Sequence, residues 1–158
     1  MVSLATNYFY VTSGTLSGDT ISGGITVQIY NMDVKHNLTK TLTEIARPSI
    51  ELTTDPAKRY LIDLKDIKEV ITVTGFLKDI DGGDTRFTQK ENLRILAGTG
   101  TSGPSDGIVT VVWGTDAAGT KQTYNGNIIK CEFRETARED RYNKIAVTLQ
   151  IVIGEARS

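Results

Sequence analysis

The clearest hydrophobic pattern lies near the C-terminus, where Ile145, Val147, Leu149, Ile151 and Ile153 take every odd position and Lys144, Ala146, Thr148 and Gln150 take even ones. A period of two with branched side chains predicts a strand from Tyr142 to Ile153, its odd face apolar and its even face turned to water or a polar partner. Burying the odd row is worth on the order of 10 kcal/mol before chain entropy is counted. At about twelve residues the strand is long, which implies that it reaches beyond its own domain or bends between two sheets.

Upstream, Ser and Gly punctuate the first quarter around an alternation at Ile25, Val27 and Ile29, which predicts a strand following an arm-like segment, residues 1–24. Lys35 to Glu44 is polar and Thr-rich, and Pro48 and Pro56 interrupt any helix in the next segment, so loops are expected there with a short strand near Ile50 to Leu52. Tyr60 to Leu64 and Val70 to Leu77 predict two strands joined across Lys65 to Lys68. Asp79 to Asp84 has the composition of a turn. One helix is expected, about Thr85 to Ala97, capped by Thr88 with Glu91 three residues on, or from an earlier start by Asp84, and closed by Gly98. After a Gly/Ser/Thr/Pro loop, Ile108 to Trp113 predicts a buried strand. Thr123 to Glu135 predicts another, with Ile129, Cys131 and Phe133 on one face and Lys130, Glu132 and Arg134 on the other, followed by a charged turn at Ala137 to Arg141. The fold class is mainly β: a single-domain β-sandwich or barrel, residues 1–158, with one short α-helix.

Length and composition agree with one domain, since 158 residues with 39 % hydrophobic content sustain one core. A net charge of -1 with no local gathering of Lys and Arg speaks against nucleic acid as a direct ligand. The N-terminus lacks the charged and apolar regions of a secretory signal, and no stretch has the roughly 18 apolar residues of a membrane span. A single cysteine, Cys131, excludes an internal disulfide and suits a reducing cytoplasm.

Candidate chemistry is sparse. The single histidine, His36, has no cysteine or carboxylate at a metal-ligand spacing and is expected in a solvated loop. Asp79, Asp81 and Asp84 hint at a calcium loop, yet its twelfth position is Lys90 where a glutamate is required. The Gly98 to Pro104 run lacks the Gly-Lys-Ser/Thr element of a phosphate loop. Cys131 is expected as a core thiol, and Asn37-Leu38-Thr39 as a chance match to the glycosylation pattern. Trp113 and Tyr124 are the rings that an aromatic platform for a sugar would use, although a tryptophan ending a buried strand is more often core or interface. No catalytic set, metal site or cofactor is expected, and the chain is read as not an enzyme.

Three stretches bring a family into view: Ile67-Lys-Glu-Val-Ile-Thr-Val-Thr-Gly-Phe-Leu before the helix, Tyr124-Asn-Gly-Asn-Ile-Ile-Lys after it, and the ending Ala146-Val-Thr-Leu-Gln-Ile-Val-Ile-Gly-Glu. With the element order over residues 60–155, this arrangement resembles phage tail-tube, tube-initiator and distal-tail baseplate proteins and their relatives in contractile injection systems. The resemblance implies a tail-tube-like fold and a structural virion protein made in the host cytoplasm. It also implies rings, usually hexameric, in which strands of adjacent copies line a lumen for DNA, with the helix outside. Partners would be copies of itself and other tail or baseplate proteins, with no membrane insertion. The glycine-rich N-terminus would lie over a neighbouring copy. Lys144, Thr148, Gln150, Lys130, Glu132 and Arg134 are the implied lumen-facing or inter-subunit positions. The alternative is a carbohydrate- or ligand-binding β-sandwich.

Overall fold

Burial along the last strand follows the alternation: Ile145, Val147, Leu149 and Ile151 are buried and Ile153 partly so, while the even positions are half-buried. The computed structural model describes residues 1–46, 59–98, 107–135 and 144–154. In chain order these form β1 (Val2–Ser3), β2 (Tyr8–Thr12), β3 (Thr15–Ser17), β4 (Thr20–Ser22), β5 (Thr26–Ala46), β6 (Arg59–Lys78), α1 (Arg86–Leu96), β7 (Val109–Trp113), β8 (Gln122–Glu135) and β9 (Lys144–Ile153). The fold is mainly β with one short helix. Six strands close an antiparallel barrel in the order β2-β5-β6-β9-β8-β7, and β1, β4 and β3 form a small second sheet. The expected strand Ile50 to Leu52, the turn Ala137 to Arg141 and most of the loop after Gly98 lie outside the described residues.

Inside the barrel, the β9 row meets Phe9, Val11, Val27, Ile29, Ile71, Val73, Leu77, Val109 and Val111. Helix α1 adds Leu93 and Leu96 from one end. There the buried Gln89 accepts a hydrogen bond from the Gln28 backbone N–H and donates one to the Lys78 carbonyl, tying the start of β5 to the end of β6. The helix cap is Thr85, whose hydroxyl accepts from the Thr88 N–H at 3.3 Å, so Thr88 belongs to the first turn and Asp84 lies one residue outside. Gly98 closes the helix at φ 90°, as its position predicts.

Two expectations for the middle of the chain are corrected. Lys35 to Glu44 is strand, not loop, because β5 runs unbroken to Ala46 against β6. The β-branched threonines favour an extended backbone there and the partner strand takes the main-chain hydrogen bonds, so no apolar alternation is needed to hold it. Likewise β6 is one strand. The break read as a connection at Lys65 to Lys68 is a register irregularity: Thr41 pairs with Asp66 but Leu42 with Asp63, so Leu64 and Lys65 have no counterparts.

The N-terminal segment is also not an arm. β2 is a barrel strand between β5 and β7, and the small sheet places Ile21 on Tyr10 and Val112, with Val2, Leu4 and Leu16 around them. Asp19 fastens this sheet to the β7–β8 turn by accepting from the Asp116 and Ala117 N–H groups at 2.8 and 3.2 Å. Glycines and serines mark its tight turns, which is why its core content looks low in sequence.

A bulge in β5 sets the orientation of everything after it. Tyr30 pairs with Phe76 and Asp33 with Thr74, leaving two β5 residues against Gly75. Inward positions switch from odd (Val27, Ile29) to even (Met32, Val34). A Cβ on Gly75 would lie 2.5 Å from Ile29 Cγ2 and 2.8 Å from the Tyr30 carbonyl oxygen, so the bulge needs glycine opposite it. Gly75→Ala is expected to cost about 1–3 kcal/mol in urea unfolding through this crowding. Val147→Asp, which buries a carboxylate among aliphatic side chains, is expected to cost more, about 3–5 kcal/mol by the same measurement.

Candidate functional site

Seen from outside the barrel, the strands β5, β6, β9 and β8 lie side by side, and their outward residues form registered rows. Lys35, Thr72, Gln150 and Lys130 make one row, Asp33, Thr74, Thr148 and Glu132 the next, and Tyr30, Phe76, Ala146 and Arg134 a third. Beyond these, Lys78 pairs with Lys144. All six positions singled out from the sequence, Lys144, Thr148, Gln150, Lys130, Glu132 and Arg134, therefore share one face. At about 4.8 Å between strands, this polar wall is about 15 Å wide.

The face also gathers charge that is scattered along the chain. Lys35, Lys78, Lys130, Arg134 and Lys144 stand on it against Asp33 and Glu132, although the chain as a whole carries -1. Lys130 and Glu132 are 3.8 Å apart. Composition missed this collection because each of the four strands contributes only one to three charged residues to it.

The ladder of β9 is filled on both sides, by β6 and by β8. The open edges belong to the outer strands instead. Among the described strands, β8 from Asn127 to Glu135 pairs only with β9, because its pairing with β7 ends at Gly126, and β5 beyond Tyr30 pairs only with β6, because its pairing with β2 ends at Tyr30. The four-stranded part of the sheet thus has, among the described strands, an unpaired main-chain edge on each of its two flanks, and the far edge of β6 from Arg59 to Glu69 is open as well.

From Leu38 onward, β5 and β6 leave the barrel as a two-stranded ribbon, Leu38–Ala46 against Arg59–Glu69. At about 3.3 Å per residue it extends about 30 Å. Leu38 is 64 % exposed and Ile67 54 % exposed on it. At its base His36 contacts Glu69 at 2.6 Å and meets the edge of the Tyr124 ring, so His36 is a strand residue with partners, not a solvated loop histidine.

A second bulge changes the face of β8. Ile128 pairs with Ile151 and Lys130 with Gln150, so Ile129 is the extra residue and points out, 54 % exposed, while Ile128 joins Cys131 and Phe133 against the core. The expected trio of Ile129, Cys131 and Phe133 is corrected in its first member. No alternation rule marks the bulge, because Ile128-Ile129 offers two equivalent apolar residues.

The remaining candidates have structural roles. Trp113 is 9 % exposed and stacked between Phe9 and Tyr124, with centroid distances of 5.2 and 5.7 Å, so both ring faces are covered and it presents no platform. Asp79 accepts from the Arg86 backbone N–H and pairs with its guanidinium, contacts that hold the carboxyl below its usual range. Among the described residues no group of three or more His, Cys, Asp and Glu is placed to hold a metal ion, and no helix is long and apolar enough to cross a membrane.

Burial pushes the Cys131 thiol up from 9.0 to about 11. In the unfolded chain the thiol ionises near the ordinary value, so the stability from this burial is whole below about pH 9 and is lost as pH rises towards 11. Cys131→Ala is expected to flatten that part of the thermal stability profile; the Tyr10 phenol, also raised by burial, adds its own decline at higher pH. At pH 8, alkylation of the native thiol is expected to be slower than in urea by about a hundredfold, the difference in thiolate fraction. Set against protein-family models and against curated proteins, the chain matches none.

Proposed function

We propose that the chain is a structural virion protein that assembles into a ring, hexameric in this reading, within a phage-like tail tube or baseplate, and that its polar sheet face walls a passage for DNA. The observation that carries this is the four-stranded sheet β5-β6-β9-β8, apolar inside, polar outside and unpaired at both flanks.

Open edges of this length are a liability for an isolated molecule, and pairing removes it. The two edges differ, so copies join head to tail, and such a contact closes into a ring or extends into a filament. Strand polarity suits the junction. Four antiparallel strands end with β8 running opposite to β5, so the β8 edge of one copy meets the β5 edge of the next in the same antiparallel sense as every pair within the sheet. Six copies would bring about 24 strands together, giving a backbone diameter of about 37 Å before strand tilt widens it.

The ribbon supports the same reading. A two-stranded ribbon is marginal alone in water, and exposed Leu38 and Ile67 give it apolar surface for a neighbouring copy, a stacked ring or a baseplate protein. The role is non-catalytic and needs no cofactor. A carbohydrate-binding module would need an exposed aromatic face, which Trp113 does not offer.

Native mass measurement with electron microscopy is expected to show a closed ring or tube, either for the purified protein or within a particle. A monomer that persists at high concentration and has no place in a particle overturns the proposal. Thr148→Trp, placed at the middle of the wall, is expected to leave a folded monomer but to block assembly or DNA passage. If both survive this substitution, the wall assignment is withdrawn.

A further inference from the structure

Around the helix-side rim of the polar face three cations stand together, and no described carboxylate lies within ion-pair distance of them. Lys78 and Lys144 are direct cross-strand partners, and Arg134 sits one row away beside Ala146. Like charges directly opposite one another on a sheet are destabilising. Elsewhere the cations Arg86, Lys90, Arg94 and Lys121 each have a carboxylate within ion-pair distance. Among the described residues none pairs with Lys78, Lys144 or Arg134. Aromatic rings hold the two ammonium groups in place: Lys78 Nζ lies 3.7 Å from the Tyr30 centroid and 5.7 Å from that of Tyr8, and Lys144 Nζ lies 5.7 Å from that of Phe76. Such contacts are favourable but do not neutralise the charge.

We infer that this rim is a contact site for the phosphodiester backbone of nucleic acid. The inference rests on the passage reading above and deepens it, turning passive transit into a direct, sequence-independent contact at one mouth of the passage. Charge complementarity carries it. Residues on the same face of a strand recur about every 6.6 Å, so the three cations present separated positive charges across two rows and three strands. A polymer with a regularly repeated charge offsets them together, and Lys and Arg contacts to phosphate position a nucleic acid without reading its sequence. Head-to-tail assembly repeats the three cations in every copy around the same rim.

The test is fluorescence anisotropy of labelled single-stranded and duplex DNA, titrated with the purified protein at 50 and 200 mM salt, with the mass distribution of each sample measured alongside. Binding is expected to be independent of sequence and to weaken with salt at a slope of about two to three phosphates per copy. Lys144→Glu is expected to lower affinity about tenfold or more at the lower salt, and Lys144→Gln by less. Arg94→Glu, which makes the same charge change on the exposed helix, is expected to leave affinity near that of the parent. Melting curves identify any variant that fails to fold, and the milder Lys144→Gln keeps the comparison available in that case.

Equal losses from Lys144→Glu and Arg94→Glu overturn the inference, because net charge alone would then explain them. Rings that bind no DNA overturn it while leaving the ring assignment intact. Binding to poly-glutamate but not to DNA overturns it in favour of an acidic protein partner. Lys144-dependent DNA binding by a strict monomer supports the contact site and removes the ring. Preference between single strands and duplex identifies which form meets the rim.

Discussion

The fold depends on the double pairing of β9. One strand carries the apolar row Ile145, Val147, Leu149 and Ile151 into the core, and its two ladders hold β6 on one side and β8 on the other. Because side chains alternate, that arrangement also fixes which residues of three strands point outward. The polar wall and the hydrophobic core are therefore one constraint seen from its two sides. A register slip of a single residue would exchange them.

Closure of the barrel then decides where the free edges fall. β2 and β7 are short and bridge the long sheet only at the start of β5 and the start of β8, which lie at opposite ends of it. The remaining lengths of β5 and β8 have one open side each among the described strands, on opposite flanks. Two short strands thus leave a molecule that is closed around its core and open along its sides. The small N-terminal sheet completes the exterior by covering Tyr10 and Val112, which face away from the barrel interior.

Burial-driven features were legible in the sequence and pairing-driven ones were not. β9, β7 and the helix with its closing Gly98 announced themselves through alternation, branching and turn chemistry, since each is held by apolar contact. The ribbon half of β5 was hidden because threonines and charges held by a partner strand leave no one-sided hydrophobic signal. Both bulges were hidden for a related reason: they change the face of a strand without changing its composition, as at Ile128-Ile129 and opposite Gly75. Of the candidate face, the six chosen positions were readable as the polar half of an alternation. The contributions of β5 and β6, including Lys35 and Lys78, needed the register between distant strands. The same is true of the cationic rim, whose members are separated in sequence and adjacent only across ladders.

Barrel closure has a consequence for how the chain reaches this state. The pairing of β2 with β7 joins Phe9 to Trp113, so the seam cannot form until more than a hundred intervening residues are in place. Non-local pairing of this kind makes folding slow, because the entropy of closing a long loop is lost before the contacts compensate for it. During that interval the edges of β2, β7, β5 and β8 are all exposed, and a chain that meets a neighbour early can pair through the wrong strand. After the seam closes, the edges of β2 and β7 are taken up, while among the described strands the flanks of β5 and β8 stay open. Slow intramolecular closure thus lengthens the interval in which incomplete chains expose strand edges to wrong pairing, and closing the seam ends it for β2 and β7.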